Sequence, residues 1–146
     1  MEILRATETW QRAGAYYVRI QAMAKKHHIT LDREFDALDG PDMRYILALD
    51  GDFPVGTARL YPLPDGESMM IGRVVVLPEY RHQGLGSRVM AACEAWIRDL
   101  GCRTAVLESR DNKTKFYAGM GYRITGDAFI DGDTFRCIRM EKHLAE

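Results

Sequence analysis

The stretch from residue 71 to residue 100 constrains the fold of this chain more than any other part of it. Its first segment, Ile71–Leu77, is a short apolar run rich in β-branched residues, which predicts a buried strand. Pro78 ends that strand because proline has no N–H to donate to a sheet. A short basic loop, Glu79–Gly86, comes next. From Ser87 to Leu100 apolar residues recur every three or four positions, which predicts an amphipathic helix.

The loop between this strand and helix predicts a binding site for an anion. The N–H groups at a helix N-terminus are free and carry a partial positive charge. Gly84 and Gly86 have no side chains, so a ligand can approach their backbone closely, and Arg81 offers a planar guanidinium suited to phosphate oxygens. We therefore predict that a diphosphate binds residues 81–87. These residues are Arg81, His82, Gln83, Gly84, Leu85, Gly86 and Ser87.

The spacing of the two glycines excludes the best-known phosphate loops. The sequence fits neither G-x-x-x-x-G-K-[ST], the nucleotide-hydrolysing P-loop, nor G-x-G-x-x-G, the dinucleotide fingerprint. R-x-x-G-x-G after a strand ending in Val-Leu-Pro, and before such a helix, resembles the acetyl-CoA pyrophosphate loop of the GNAT N-acetyltransferase superfamily. The alternative is an ordinary strand–turn–helix in which the glycines serve only the turn.

A second segment, Lys115–Tyr122, carries the same resemblance. In GNAT proteins a short helix carrying tyrosine, then a glycine and an aromatic residue, follows the strand after the central helix. Phe116-Tyr117 and Gly121-Tyr122 stand where that pattern needs them. The resemblance therefore covers roughly residues 55 to 140, and the first fifty residues match only in the order of their elements.

Length and composition fit one globular domain. The chain has 146 residues, of which 47% are hydrophobic and 28% charged, enough for a sizeable core. The net charge of −1 offers no broad basic field, which argues against nucleic acid or a membrane surface as a partner. Three cysteines, odd in number and without a C-x-x-C spacing, predict free thiols and a cytoplasmic location.

The remaining elements predict an α+β domain with a mixed sheet. Thr104–Ser109 follows the central helix at the spacing of a βαβ unit, which makes it parallel to Ile71–Leu77. Thr7 is the expected cap of the first helix. The predicted strands are Glu2–Ala6, Arg44–Asp50, Phe53–Leu60, Glu67–Leu77, Thr104–Ser109, Tyr122–Thr125 and Phe135–Glu141, the last two joined across Asp131, Gly132 and Asp133, and the predicted helices are Trp10–Lys25, Ser87–Leu100 and Lys113–Met120.

The resemblance implies the fold in more detail. It implies a single N-acetyltransferase domain over residues 1–146, with a mostly antiparallel mixed sheet, a central parallel βαβ unit, a splayed strand pair and helices on both faces. In the family a bulge splays the central strand from its neighbour and leaves backbone groups free for the pantetheine and the acetyl carbonyl. Those groups would belong here to Val74, Val75 and Val76.

The resemblance also implies a proton donor and a proton acceptor. Tyr117 aligns with the acid that protonates the departing CoA thiolate in the family. Glu108 lies in LESR, which resembles the Leu-Glu-x-Arg end of this strand in peptide-acetylating members, where the glutamate is a base. Glu67, Glu34 and a chain of water molecules are the open alternatives for the base.

The loop after that strand departs from the family pattern. Many members carry an asparagine seven residues before the tyrosine, where it contacts the cofactor. That position is Arg110 in this sequence, and Asn112 lies only five residues before Tyr117. Arg110 and Asn112 are therefore both candidates for contacts with the cofactor.

Two charged segments near the N-terminus each leave two interpretations open. Lys25–His28 ends the first helix with cations placed favourably against its dipole, or forms a basic patch for an anionic substrate or the adenylate end of the ligand. Ile29–Gly40 has a helical apolar pattern in which Leu31, Phe35 and Leu38 share one face. Its four carboxylates are either a solvated helix face or an acidic wall suited to a cationic amine. They are Asp32, Glu34, Asp36 and Asp39.

The function that the resemblance implies is N-acetyl transfer from acetyl-CoA to a primary amine, by direct attack in a ternary complex. The expected acceptor is a small-molecule amine or an exposed protein amine, and association as a homodimer stays open. The four histidines form no H-E-x-x-H or Cys/His spacing, so no metal is expected. A CoA-binding regulatory module without turnover is the alternative, and Tyr117 argues against it.

Overall fold

The computed structural model, which describes residues 1–131 and 135–144, is built around one β-sheet. The order of its eight described strands is β1-β2-β3-β4-β5-β8-β6, and β7 also pairs with β8. Neighbouring strands are antiparallel except β4 and β5, which are parallel and joined through a helix. The strands are β1 Glu2–Arg5, β2 Arg44–Asp50, β3 Phe53–Pro62, β4 Ser68–Val76, β5 Thr104–Arg110, β6 Arg123–Ile124, β7 Ile130–Asp131 and β8 Arg136–His143. The predicted α+β class and the mixed sheet are confirmed.

The first helix is longer and less regular than the sequence predicts. Helix α1 (Thr9–Arg19) continues through a π-helical segment, Ile20–Ala24, into α2 (Lys25–His27). The predicted cap at Thr7 is wrong, because Glu8 is the N-cap residue. The side-chain oxygen of Gln11 accepts the backbone N–H groups of both Thr7 and Glu8, at 2.6 and 2.9 Å. The residue types in Ile20–Ala24 do not predict the π-helical turn.

The segment after α2 is mostly not helical. Helix α3 covers only Leu31–Glu34, and Phe35 is already extended at φ −101° and ψ 123°. The predicted helical face that Phe35 and Leu38 share with Leu31 is therefore wrong. Ion pairs to carboxylates in this segment, described below, fix the chain in a loop that its apolar spacing does not predict.

The central helix α4 spans Leu85–Asp99 and begins two residues before the predicted Ser87. Gly84 precedes it in the left-handed conformation, at φ +77°. The buried face of α4 packs into the main core with residues from β2 to β5. The short helix α5 follows β5 and covers Thr114–Ala118, within the predicted range.

Strands β4 and β5 pair over only half of their length. Their register runs from Ser68 opposite Thr104 to Ile71 opposite Leu107, and beyond it β4 pairs, within the described part of the chain, with β3 alone. Arg73 lies at this divergence with a positive φ of 52°, and the register between β3 and β4 shifts there. The predicted splayed strand pair is confirmed, and it opens a gap between residues 72–76 and 108–110.

The C-terminal strands close the sheet beyond β5. β8 pairs with β5 along seven residues, from Thr104 opposite His143 to Arg110 opposite Cys137, and β6 and β7 both pair with β8. Gly132 and Asp133 of the predicted turn lie outside the described residues. Within residues 1–131 and 135–144, no helix is long and apolar enough to cross a membrane.

Candidate active site

The gap between β4 and β5 widens into a cleft of about 1150 Å³. Both predicted catalytic residues and nearly all the predicted cofactor residues line it. Gln83 does not, and its side-chain nitrogen donates to the carbonyl of Glu79 at 3.3 Å. The lining residues predicted from the sequence are Val74, Val75, Val76, Arg81, His82, Gly84, Leu85, Gly86, Ser87, Glu108, Arg110, Asn112 and Tyr117.

The loop before α4 has the features of an anion site. Among the residues that the structure describes, no side chain caps the N-terminus of α4, so the first N–H groups of this 15-residue helix are free to bind a ligand. A side chain at Gly84 would meet no atom within 4 Å, and its positive φ disfavours any residue but glycine. These features fit the predicted diphosphate. Gly86 has a second role, because a Cβ there would lie 3.2 Å from the ring of Phe116.

The divergence of β4 leaves its backbone edge open towards β5. Val74, Val75 and Val76 are half-buried, and the pairing of β4 with β5 has ended before them. On the other edge Val75 and Val76 still pair with Thr57 and Gly56 of β3. The N–H and C=O groups on the open edge can therefore bind an extended ligand as a strand would.

Tyr117 lies on α5 at the wall of the cleft. Its ring makes edge contacts with Phe116 and Tyr122, at centroid distances of 5.0 and 6.1 Å. Burial raises the pKa of Tyr117 to about 12, so its hydroxyl stays protonated at neutral pH. Among the described residues, the Tyr117 hydroxyl has no hydrogen-bond partner. It is therefore a proton donor available to a ligand.

Tyr122, the neighbouring aromatic residue, belongs to the core. It is 3% exposed, and its hydroxyl donates to the buried carboxylate of Glu94 at 2.8 Å. The amino group of Lys142 donates to the other oxygen of Glu94 at 2.9 Å. This cluster lies behind Tyr117 and supports its ring.

The three carboxylates considered as a base occupy different environments. Glu108 is exposed at the end of β5 and lines the cleft. Glu34 also lines the cleft, but its carboxylate is buried and paired with Arg19 at 2.9 Å. Glu67 is exposed and lies outside the cleft lining. Of these three, Glu108 alone combines a place in the cleft with an exposed carboxylate that is unpaired among the described residues.

Basic residues from three segments meet at the α4 end of the cleft. The charge of Arg81, with burial and the charges of Arg110 and Lys113, lowers the pKa of Lys26. His27 packs edge-on against Phe135, and the guanidinium of Arg110 lies 3.8 Å from the centre of the same ring. Lys26 and His27 line the cleft as well. The Lys25–His28 segment therefore contributes to a basic patch, besides ending the helix.

At the opposite end of the cleft, three arginines bind the carboxylates of the 31–39 segment. The buried Arg19 pairs with Glu34 at 2.9 Å and with Asp39 at 2.7 Å. Burial would raise the pKa of Asp39, but hydrogen bonds from Arg19 and Tyr45 outweigh it and hold that pKa well below its usual range. Glu34 and Asp39 therefore form neither a solvated helix face nor an open acidic wall.

The other two arginines come from the sheet. Arg59 of β3 makes two bonds to Asp36, at 2.8 and 2.9 Å, and contacts Asp39 at 2.9 Å. Arg73, at the bulge of β4, lies 3.4 Å from the Glu34 carboxylate and 3.5 Å from that of Asp36. The sequence pattern predicts neither of these two arginine contacts. The available signal was an arginine within the otherwise apolar run of β3.

Within residues 1–131 and 135–144, no group of three or more histidine, cysteine, aspartate or glutamate side chains is arranged to hold a metal ion. The residues that line the cleft offer backbone N–H groups, guanidinium groups, tyrosine hydroxyls that include the one of Tyr117, and the exposed carboxylates of Asp32 and Glu108. This set can bind an anionic extended ligand, donate a proton and accept one.

Known proteins are similar to this chain in sequence and in fold. The family model described as Acetyltransferase (GNAT) family matches residues 4–122. The uncharacterised N-acetyltransferase YjcF of Bacillus subtilis is 30% identical over 132 residues, which cover 90% of this chain and 92% of that protein. The solved structure of a candidate N-acetyltransferase from Lactobacillus plantarum has a TM-score of 0.92 at 30% identity, covering 99% of this chain and 98% of the other. An aminoglycoside 6′-N-acetyltransferase complexed with coenzyme A shares the fold at a TM-score of 0.77 and 15% identity, covering 100% and 98%.

Proposed function

Because the chain belongs to the GNAT acetyltransferase family, we propose that it transfers an acetyl group from acetyl-CoA to a primary amine by direct attack in a ternary complex. The observation that carries this proposal is the gap between β4 and β5. It brings the free N-terminus of α4, the open edge of Val74–Val76, Glu108 and Tyr117 into one cleft. Positioning two reactants together can itself contribute roughly 7–11 kcal/mol to the barrier reduction.

The residues of this cleft fit acetyl-CoA in two parts. The N–H groups of residues 84–87 and the guanidinium of Arg81 hold the diphosphate, while the open backbone edge of Val74–Val76 holds the pantetheine arm. Arg110 and Asn112 both reach the same cleft, so both are retained as cofactor contacts. When bound, acetyl-CoA supplies an acetyl group activated as a thioester.

Glu108 and Tyr117 handle the two protons of the transfer. Glu108 accepts the proton that the amine loses as its nitrogen bonds to the acetyl carbon. Tyr117 donates its hydroxyl proton to the sulfur as the carbon–sulfur bond breaks, and solvent restores that proton afterwards. Because the pKa of Tyr117 is raised to about 12, its acid form persists across the working pH range.

The proposal includes a small-molecule or exposed protein amine as the acceptor, and a cytoplasmic location. Cys93, Cys102 and Cys137 are free, which suits a reducing compartment. Whether the chain acts as a monomer or a homodimer does not alter the chemistry of the cleft, because every group named above belongs to one chain.

A panel of amines tests this function directly. Thiol release from acetyl-CoA is followed by absorbance, and the N-acetyl product is identified by mass spectrometry. We expect thiol release that depends on the amine, with one acetylated product per thiol. Stabilisation of the protein by acetyl-CoA without turnover on any amine would favour the regulatory CoA-binding module instead.

A further inference from the structure

The side chain of Arg59 is buried but incompletely bonded. Arg59 is 4% exposed, and its two terminal nitrogens are occupied by Asp36 and Asp39. Its Nε is buried, and within the described residues it is the one buried side-chain nitrogen or oxygen without a hydrogen-bond partner. A buried N–H group without a partner costs free energy, so a ligand atom that accepts its hydrogen bond would bind favourably there.

The unpaired Nε lies beside the side-chain position of Gly72. Arg59 and Gly72 are paired in register on β3 and β4, so their side-chain positions lie on the same face of the sheet. A Cβ built at Gly72 would lie 3.9 Å from the Arg59 Nε and within 4 Å of no other non-neighbouring atom. Both residues line the cleft, where β4 departs from β5. The missing side chain at Gly72 therefore leaves space for a ligand atom next to the N–H.

The charges around this space favour an uncharged oxygen. Guanidinium nitrogens donate and never accept, so the partner of Nε must be an acceptor. Carboxylates outnumber cations around this space. The five carboxylates are those of Asp32, Glu34, Asp36, Asp39 and Glu108, and the four cations are Arg19, Arg33, Arg59 and Arg73. A further anion would be repelled, whereas an ammonium group near the exposed Asp32 and Glu108 would be attracted.

We propose that the acceptor is an amine with an uncharged hydroxyl or carbonyl oxygen close to the amino group, and that this oxygen accepts the Arg59 Nε–H in the space above Gly72. Arg59 is then a specificity-determining residue. The inference rests on the proposed function and deepens it. Amino alcohols and amino amides, including the N-terminus of a protein, share this chemistry, whereas free amino acids and plain alkylamines do not.

Substitutions at Gly72 test the inference without disturbing the ion pairs. Gly72→Ala places a methyl group over Nε at an ordinary contact distance, on a backbone whose φ is not positive. Gly72→Ser adds a hydroxyl that can reach Nε and accept its N–H. Gly40→Ala is the matched control, because its new Cβ would meet only the carbonyl oxygen of Ala37, at 3.8 Å, and Gly40 lies outside the cleft lining.

Acceptors are compared in matched sets built on the alanine, leucine and phenylalanine skeletons. Each set contains the amino alcohol, the amino-acid amide, the free amino acid and the alkylamine. In the wild type and Gly40→Ala, kcat/KM for the alcohol or the amide should exceed that for the alkylamine about ten- to a hundredfold, since losing the oxygen leaves Nε unpaired. If the amino alcohol has the higher kcat/KM of the two, the acceptor is a small amino alcohol. If the amino-acid amide has the higher kcat/KM, the acceptor is peptide-like. In Gly72→Ala and Gly72→Ser the preference should collapse.

A readout independent of activity accompanies the kinetics. If Nε lacks a partner in the free protein, Gly72→Ser should melt at a higher temperature than Gly72→Ala, because the serine hydroxyl satisfies it. Equal melting temperatures, or equal kcat/KM for alkylamines and oxygen-bearing amines, would overturn the inference and leave the proposed function intact. Turnover on no amine in any variant would overturn the proposed function, and the inference with it.

Discussion

The two ends of the cleft are built in opposite ways. At the α4 end, the groups proposed to bind the cofactor belong to the open edge of Val74–Val76 and to the backbone of residues 84–87, where no strand of the described sheet and no capping side chain pairs with them. At the other end, side chains from distant segments pair with one another, and the Nε of Arg59 is the one buried side-chain nitrogen or oxygen without a partner among the described residues. A site made of backbone groups needs only a strand, a glycine-containing loop and a helix in that order. A site made of side chains needs a network of contacts that holds each side chain in place.

Breaking the side-chain end should have the largest effect on stability. Arg19→Ala leaves Glu34 and Asp39 buried without their main partner, so the free energy of unfolding should fall by about 3–5 kcal/mol. Urea unfolding measures it. Arg5→Ala is the control, because the Arg5–Asp99 pair is exposed and should contribute about 0–1 kcal/mol. Equal losses in the two variants would show that the Arg19 network does not hold this end together.

Removing the hydroxyl of Tyr117, the proposed proton donor, should have the largest effect on the chemistry. Tyr117→Phe keeps the ring packing and should lower turnover about ten- to a thousandfold, because water replaces the hydroxyl only in part. The dissociation constant of acetyl-CoA should stay within a few fold. Stopped-flow thiol release and calorimetry measure the two quantities.

Tyr122→Phe is the matched variant for Tyr117. It removes a hydroxyl that donates to Glu94, so it should lower the free energy of unfolding while turnover stays near that of the wild type. Normal turnover in Tyr117→Phe would make Tyr117 a packing residue like Tyr122.

Blocking the backbone end should remove acetyl-CoA binding. In the wild type, acetyl-CoA at a hundredfold excess over its dissociation constant should stabilise the protein by about 2.7 kcal/mol. Gly84→Val should abolish this gain by covering the N-terminus of α4. Gly66→Val controls for backbone strain, because Gly66 has a similar φ of +74° and lies in open space outside the cleft lining. If acetyl-CoA still stabilises a folded Gly84→Val variant, the loop of residues 81–87 does not bind the cofactor.

The smallest expected effect concerns the base. Glu108→Gln should lower turnover about tenfold at neutral pH, and less at high pH where more of the amine is already deprotonated. The measurement is a pH–rate profile beside that of Glu67→Gln, whose side chain lies outside the cleft lining. If Glu108→Gln keeps the wild-type pH–rate profile, the proton of the amine passes to water or to another carboxylate.

The sequence predicts the backbone end well because its signals are local. The strand before Pro78, the glycines at 84 and 86 and the periodicity of α4 are all read within thirty residues. The splayed pair follows from the family resemblance and is confirmed by the pairing that stops after Ile71. The second role of Gly86, packing against Phe116, depends on a contact thirty residues away and leaves no local signal.

The side-chain end could not be predicted in the same way. Its ion pairs join residues 15 to 39 positions apart, so the periodicity of a single helix or strand gives no sign of them. They also override the apolar spacing of Leu31, Phe35 and Leu38, which is why the predicted helix stops at Glu34. The sequence does contain one indication of this network, namely an arginine among the apolar residues of α1 and another among those of β3, since a charge on an apolar face requires a partner.

Amide hydrogen exchange, followed residue by residue by NMR with and without acetyl-CoA, tests the central claim that this ligand binds the backbone of the splayed strand and the α4 N-terminus. The claim predicts slowed exchange at Leu85, Gly86 and Ser87 and along Val74–Val76, with no change in the exposed turn at Gly66. Unchanged exchange at residues 84–87 in a protein that acetyl-CoA nonetheless stabilises would contradict it.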